Sequence, residues 1–471
     1  MNNPSPPINI NSSKEALDFK TKIAYGAGEL GGAIPNNILV FFVLYFFTNV
    51  AGLNAGLAGG LILIGKAWDS INDPLIGWLS DKTRSRLGRR YPWMLIGAIP
   101  LGISFCLLWF TPPIANQWLK FAYYITIFII YYAAVSSVWI PYSTLGAELT
   151  TTYNERTNIT GFRSSFAIGG SIFALILAQV ILDIVEAPQS YLYMAVIASL
   201  ISFLAIYFCV WGTYKRYKII QNQREQIQRE APEAVLQQIK IALSNKPFLC
   251  VVGIYLCSWL GTQVTAAVLP YFVVDWMQLP KNHFTQMALA IQGTALILMP
   301  IWSIIGQKVG KKAIYCMGIP GTIIAQAGFF FLQPGQTVLM YILSVMAGVG
   351  ISVAYITPWA MLPDVVDLDE LNTGQRREGI FYGFVVQTQK LCVAVAIFLV
   401  GKTLDLSGLI PAVATEAPPV QPDSALWAIR LIIGPLPTLI LIIGLVIAFF
   451  YPITQSKHEE IVLKLNERNR G

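Results

Sequence analysis

Long apolar stretches alternate with short polar segments along the whole of this 471-residue chain. A helix needs about 20 mostly apolar residues to cross roughly 30 Å of hydrocarbon. Twelve stretches meet this requirement, so the pattern predicts an all-α membrane protein with twelve transmembrane helices. The predicted spans are 23–50, 56–80, 92–112, 119–147, 162–183, 190–213, 247–276, 286–306, 312–332, 336–362, 379–402 and 425–452.

Composition points the same way, because 55% of the residues are hydrophobic and only 12% are Asp, Glu, Lys or Arg. An ordinary soluble domain carries about 25% charged residues. The chain therefore has too few charges to cover the surfaces of two or three soluble domains. We expect most of it to lie in a lipid bilayer.

The basic residues are concentrated on one predicted side of the membrane. With the N-terminus in the cytoplasm, most of them fall in or beside inner loops and tails. The positive-inside rule then places both termini in the cytoplasm, and it accounts for the net charge of +7 without a nucleic-acid partner. The exceptions, four outer residues and two within spans, are Lys120, Lys281, Lys402, Arg430, Lys66 and Lys390.

The longest predicted inner segment divides the chain into two halves of six spans. The predicted organisation is a cytoplasmic tail (1–22), a six-helix bundle (23–213), a cytoplasmic linker (214–246), a second six-helix bundle (247–452) and a cytoplasmic tail (453–471).

The two halves carry similar inner loops. Glycine and basic residues follow span two at 77–90 and span eight at 306–312, and spans four and ten end near Pro141 and Pro358. Glycine lets helices approach closely, and the basic residues can pair with carboxylates and helix ends of the neighbouring bundle. Matched six-helix halves are typical of rocking-bundle transporters, and the pattern resembles the major facilitator superfamily.

Predicted span two contains ionisable residues at membrane depth, where each costs roughly 2.5–3.5 kcal/mol. Lys66, Asp69, Asn72 and Asp73 are spaced so that all four lie on one helical face. The two carboxylates and the amide oxygen could bind Na⁺, or neighbouring carboxylates could share a proton. The alternative is a structural salt bridge between Lys66 and one of the carboxylates.

Lys390, in predicted span eleven, is the other charge that we expect to be buried. It could balance a span-two carboxylate across the two halves, or it could line the path of a solute. A lysine that extends to the membrane surface from a helix end is the alternative interpretation.

The segments 65–77 and 80–93 resemble the signature of the glycoside–pentoside–hexuronide:cation symporter family, the melibiose-permease group. Matches continue over nearly the whole chain, including 25–29, 269–272 and 361–364. The resemblance implies symport of a sugar-like solute (a glycoside, pentoside or hexuronide) with Na⁺ or H⁺ by alternating access. It implies no cofactor beyond the coupling ion.

The resemblance also implies roles for individual residues. Asp69, Asn72 and Asp73 would form the cation site, a hydroxyl from Ser136 would complete it, and Lys390 would lie nearby. Ion pairs between the halves would close a cytoplasmic gate. The gate residues predicted from the resemblance and from the inner-loop repeat are Asp81, Arg86, Arg89, Arg156, Arg163, Asp364 and Asp367.

The sequence departs from the family at the sugar site. Melibiose permeases hold galactosyl hydroxyls with aspartates on helices one and four, and the matching positions here are Ala33 and Trp139. Sodium-dependent lysophospholipid transporters, which share this branch of the fold, are therefore a second possibility. The predicted cavity residues, whose aromatic and amide groups suit a sugar ring, are Asn36, Asn37, Trp139, Tyr142, Gln263, Tyr355, Trp359 and Gln387.

A membrane-embedded enzyme is a more remote alternative. The sequence contains no HExxH, GxSxG or Walker A motif, so we expect no enzymatic activity. We expect a functional monomer in the plasma membrane, or in the inner membrane of a cell that has two.

Overall fold

A computed structural model describes residues 17–150, 153–224, 240–241, 243–374, 377–411 and 419–468, and across these ranges every regular element is helical. We number the twelve membrane-sized elements as spans 1 to 12. Their bounds are Phe19–Gly28 with Leu30–Asn49, Ala55–Lys82, Tyr91–Leu108, Gln117–Leu149, Tyr153–Ile184, Gln189–Arg224, Lys246–Tyr271 with Phe272–Trp276, Asn282–Val309, Lys311–Phe331, Thr337–Thr373, Glu378–Leu406, and Asp423–Ile433 with Pro435–Phe450.

Eleven of these elements are long and apolar enough to cross a membrane. Span 2 is the exception within the described ranges. Its 28 residues are long enough, but it carries Lys66, Asp69 and Asp73 in its middle. The polarity of span 2 is therefore concentrated where the sequence predicts a site.

Three spans are interrupted. Span 1 breaks at Glu29, span 7 ends in a π-helical turn, and span 12 breaks at Gly434, immediately before Pro435. Proline cannot donate a backbone hydrogen bond and crowds the preceding turn. Such breaks are tolerated at membrane depth where neighbouring protein surrounds the backbone.

Two helices continue beyond the predicted inner ends. The helix of span 6 extends to Arg224 rather than ending at residue 213, whereas most of the predicted linker (225–239 and 242) lies outside the described residues. The predicted C-terminal tail contains a helix, Gln455–Arg468, that packs against span 10 and buries Ile461 and Leu465.

The two six-helix halves meet along three pairs of helices. Span 2 packs against span 11, span 5 against span 8, and span 1 against span 7. The first pair is closest where glycines face each other, because a Cβ built on Gly401 would lie 2.6 Å from the carbonyl oxygen of Ala55. Small residues permit such close contact between membrane helices.

The halves also touch at their predicted outer ends. The hydroxyls of Thr48 in span 1 and Tyr271 in span 7 are 2.6 Å apart, and both residues are buried. The rings of Phe42 and Phe284 pack edge to face beside them, with centroids 5.1 Å apart. The central cavity described below therefore lies on the predicted inner side of a closed contact.

Candidate cation and solute site

Two carboxylates of span 2 share one lysine from span 11. The Nζ of Lys390 lies 2.8 Å from Oδ2 of Asp69, and it also donates to Oδ2 of Asp73. The side chains of Asp69 and Asp73 are only 4% and 8% exposed. Buried carboxylates require a compensating charge or hydrogen bond, and here the compensation comes from the opposite half of the protein.

Span 4 adds a hydroxyl to the same group. Ser136 Oγ lies 2.8 Å from Oδ1 of Asp73, 3.4 Å from Oδ1 of Asp69 and 3.0 Å from the backbone oxygen of Tyr132. A serine has one proton to donate, so its oxygen keeps acceptor capacity beside both carboxylates. The structure thus brings together residues of three spans, 2, 4 and 11, that the sequence places far apart.

Asn72 is buried with these groups, and its amide nitrogen has no hydrogen-bond partner among the described residues. The carboxylates, the amide oxygen and the hydroxyl are all hard oxygen donors, which is the ligand chemistry that Na⁺ and H⁺ use in proteins. The residues present therefore fit a small cation.

The lysine of span 2 does not take the position expected for it. Lys66 forms no ion pair within the described parts of the chain, and its ammonium lies 5.2 Å from the centre of the Tyr132 ring. The structural salt bridge between Lys66 and Asp69 or Asp73, which the sequence left open as an alternative, is not formed among the described residues. Lys390 instead reaches Oδ2 of both carboxylates from the facing helix.

Two adjoining cavities lie between the halves beside this group. The larger, about 470 Å³, is lined by the predicted residues Asn36, Asn37, Gln263, Tyr355 and Trp359. The smaller, about 260 Å³, is lined by Trp139, Lys66, Asp69 and Lys390. The two cavities share Glu29, Ala33 and Asn36 as lining residues.

Two predicted cavity residues lie elsewhere. Tyr142 is 1% exposed, its ring stacks on that of Tyr25, and its hydroxyl donates to the backbone oxygen of Tyr25 at 2.8 Å. A buried phenol needs an acceptor, and this one finds it in span 1. Gln387 is half-buried on span 11 but lines neither cavity.

An ion pair in the cavity wall was not predicted from the sequence. Arg163 Nε donates to Oε2 of Glu29 at 2.7 Å, and Glu29 lies at the break in span 1. An acidic residue within the apolar pattern of span 1 was the available signal. Its partner, 134 residues away along the chain, gave none.

Amide and hydroxyl groups connect the cavity walls. The side-chain amide of Asn37 donates to Ser171 Oγ at 2.7 Å, and Gln292 donates to Oδ1 of Asn37 at 3.4 Å. These contacts join spans 1, 5 and 8, and so cross between the halves. They fix the orientation of polar groups that line the larger cavity.

Three of the predicted gate residues of the first half pair within that half. Asp81 contacts Arg90 at 2.5 Å, and Arg89 contacts Glu148 at 2.7 Å. Arg86 is exposed, whereas Arg163 binds Glu29 as described above. The side chain of Arg156 lies outside the described residues.

The predicted gate residues of the second half contact its own helices. Asp364 pairs with Lys311 at 2.6 Å, and Nε2 of His458 lies 3.3 Å from Asp364 and 3.2 Å from Asp367. Arg163 and Asp364 thus each have a partner in their own half. The gate between halves was expected when the outer side is open, and here the outer ends are in contact, so the gate stays a prediction.

Helices in two halves around a central cavity, with charges at membrane depth, define a secondary transporter of the major facilitator fold. The chain belongs to the MFS/sugar transport protein family, which it matches over residues 24–455. It is a multi-pass membrane transporter and not an enzyme.

Several relatives are named as symporters. An uncharacterized symporter of Synechocystis sp. is 42% identical, with 98% of each chain covered. The sodium-dependent lysophosphatidylcholine symporter 1-A of Danio rerio is 25% identical, with 95% of this chain and 88% of that protein covered. The crystal structure of a D-xylose-proton symporter has the same fold, with a TM-score of 0.63, 16% identity and coverage of 92% of this chain and 97% of that one.

Proposed function

We propose that this protein moves a polar, sugar-like solute together with Na⁺ by alternating access. The proposal rests on the position of Asp69 and Lys390, which line the smaller cavity. This cavity adjoins the larger one, and Asn36 lines both. A cation bound at the carboxylates would lie next to the solute. Each ligand would then change the electrostatic surroundings of the other, which is the requirement for coupling.

Lys390 supplies the coupling step in this proposal. A cation at Asp69 and Asp73 competes with the Lys390 ammonium for the same oxygens. The ammonium is thereby released toward the cavity, where the solute binds. Because Lys390 belongs to the second half and the carboxylates to the first, cation binding changes a contact between the halves and favours their rocking.

The choice of Na⁺ over H⁺ rests on the donor set. Two carboxylates, a hydroxyl and an amide supply several hard oxygens, which a metal cation uses and a single proton does not need. The sodium dependence named for the lysophosphatidylcholine symporter, a relative, supports the same choice. We propose H⁺ as the alternative coupling ion.

The same relative favours a second candidate solute, a lysophospholipid. Polar groups such as Asn36, Asn37 and Gln263, together with the aromatic rings of Tyr355 and Trp359, suit the ring and hydroxyls of a sugar.

We further propose that the protein works as a monomer in the plasma membrane with cytoplasmic termini and no cofactor.

Uptake into proteoliposomes tests this proposal. The purified protein is given glycosides, uronides and lysolipids in turn, each with a Na⁺ gradient, with a proton gradient and with neither. We expect accumulation of one solute class that depends on the Na⁺ gradient. Accumulation that depends on neither gradient would contradict symport. Uptake restricted to lysolipids would favour the lysophospholipid as the solute.

A further inference from the structure

Lys66 carries a positive charge that no carboxylate of the described chain contacts. It lines the smaller cavity on span 2, half-buried, with its ammonium 5.2 Å from the centre of the Tyr132 ring. An aromatic face offsets part of the cost of removing an ammonium from water. It does not replace the anionic partner that buried charges normally have.

The formal charges of the site balance only when no cation is bound. Asp69 and Asp73 carry two negative charges, and Lys66 and Lys390 carry two positive ones. The nearby Glu29 is already paired with Arg163 (these two contribute no net charge). A cation bound at the two aspartates would leave the cavity with one surplus positive charge.

That surplus would lie on the lysines. Once a cation takes the carboxylate oxygens, Lys390 loses its partners, and Lys66 forms no ion pair among the described residues. Both lysines line the same 260 Å³ cavity, which adjoins the larger one. Two ammonium groups in a confined space of low dielectric form a strong site for an anion.

We propose that the transported solute carries an anionic oxyacid group, and that Lys66 binds this group from span 2. The group would be the carboxylate of a sugar acid or the phosphate of a lysophospholipid, since both present negatively charged oxygens to an ammonium. This inference rests on the proposed symport and specifies the substrate class. The bound anion then neutralises the surplus positive charge that the cation introduces, so each ligand favours binding of the other.

The test compares matched probes that differ in charge. Galacturonate is compared with galactose, and lysophosphatidate with monoacylglycerol, by calorimetric binding to the purified full-length protein in sodium chloride. We expect the anionic member of one pair to bind and its neutral counterpart to bind at least about tenfold more weakly. The pair that responds identifies the source of the oxyacid group.

Variants of Lys66 assign the effect to this residue. Lys66→Gln should weaken binding of the anionic probe roughly tenfold or more, and Lys66→Arg should retain most of it. Lys82→Gln is the matched control, because Lys82 also lies over an aromatic ring, that of Trp78 at 3.8 Å, but lines neither cavity. The midpoint of thermal unfolding of each variant checks that it is folded.

Three results would overturn the inference: equal binding of charged and neutral probes, no binding of either anion, or an unchanged affinity in Lys66→Gln. Symport is tested separately by gradient-driven uptake. Na⁺-driven uptake of galactose that Lys66→Gln leaves intact would refute the anionic substrate and preserve the symporter. Loss of all gradient dependence would refute the symporter, whatever Lys66 binds.

Discussion

The Nζ of Lys390 lies 2.8 Å from Oδ2 of Asp69, and this ion pair joins the second half of the transporter to the first. The carboxylate side chain is 4% exposed and that of the lysine 23% exposed. The contact therefore replaces solvation that the carboxylate loses on burial. It also joins the predicted cation site to the interface between the two halves.

Removing this lysine should destabilise the protein. Lys390→Ala leaves two buried carboxylates without their counter-charge, which typically costs about 3–5 kcal/mol. The matched control is Lys402→Ala, which removes a lysine that is 47% exposed and paired with Asp405 at 3.2 Å, where an ion pair contributes about 0–1 kcal/mol. Thermal unfolding in detergent should show a large loss for the first variant and a small one for the second. Equal losses would contradict the structural role assigned to Lys390.

Removing the serine hydroxyl should weaken cation binding without unfolding the protein. Ser136→Ala deletes one oxygen beside Asp73, and interactions with a charged group contribute about 1.5–3 kcal/mol. We expect the Na⁺ concentration for half-maximal uptake to rise roughly tenfold. Ser137→Ala is the control, since that hydroxyl donates to the backbone oxygen of Ala133 at 2.7 Å. If both variants behave alike, Ser136 is not a ligand.

Breaking the contact at the outer ends should favour the outward-open state. Tyr271→Phe removes the hydroxyl that lies 2.6 Å from Thr48, and a neutral hydrogen bond contributes about 1 kcal/mol, or roughly fivefold in population. A membrane-impermeant thiol reagent added outside should modify an Asn36→Cys variant correspondingly faster.

The control for this change is Tyr315→Phe. Its hydroxyl lies 2.7 Å from that of Ser258, and both residues belong to the second half. This substitution removes a buried hydrogen bond of similar length without affecting the contact between halves. Modification rates that rise equally in the two variants would show loosening of the protein rather than opening of its outer side.

Periodic features of the sequence predicted much of the fold. Eleven of the spans follow from apolar length alone, and the offsets from Asp69 to Asp73 place both carboxylates on one helical face. Span 2 was recognised because its charges interrupt an apolar stretch. The breaks at Glu29 and Gly434 were not predicted, because they fall within stretches that remain apolar on both sides.

Contacts between distant helices could not be predicted from the pattern. Two lysines, Lys66 and Lys390, were candidates for one pair of carboxylates, and only the packing of span 11 against span 2 selects between them. Tyr142 is an aromatic and polar residue of the type that often lines a cavity. Its orientation, however, depends on a hydrogen-bond acceptor in span 1. Side-chain direction on a long helix is set by its neighbours, which periodicity does not describe.

Asp73→Asn should separate solute exchange from its coupling to the cation gradient. The change removes a charged oxygen ligand while almost preserving side-chain volume, so the solute can still bind and exchange across the membrane. Uphill accumulation should be lost, because the cation gradient no longer acts through a bound ion. Asp405→Asn is the control, since Asp405 pairs with Lys402 away from both cavities.

The measurement is the ratio of gradient-driven uptake to equilibrium exchange, in purified and reconstituted protein, for the solute selected by the uptake panel. We predict that Asp73→Asn exchanges solute at a rate comparable to that of the unmodified protein but accumulates none. Asp405→Asn should both exchange and accumulate the solute. A ratio in Asp73→Asn equal to that of the unmodified protein would contradict the assignment of this carboxylate to the coupling site.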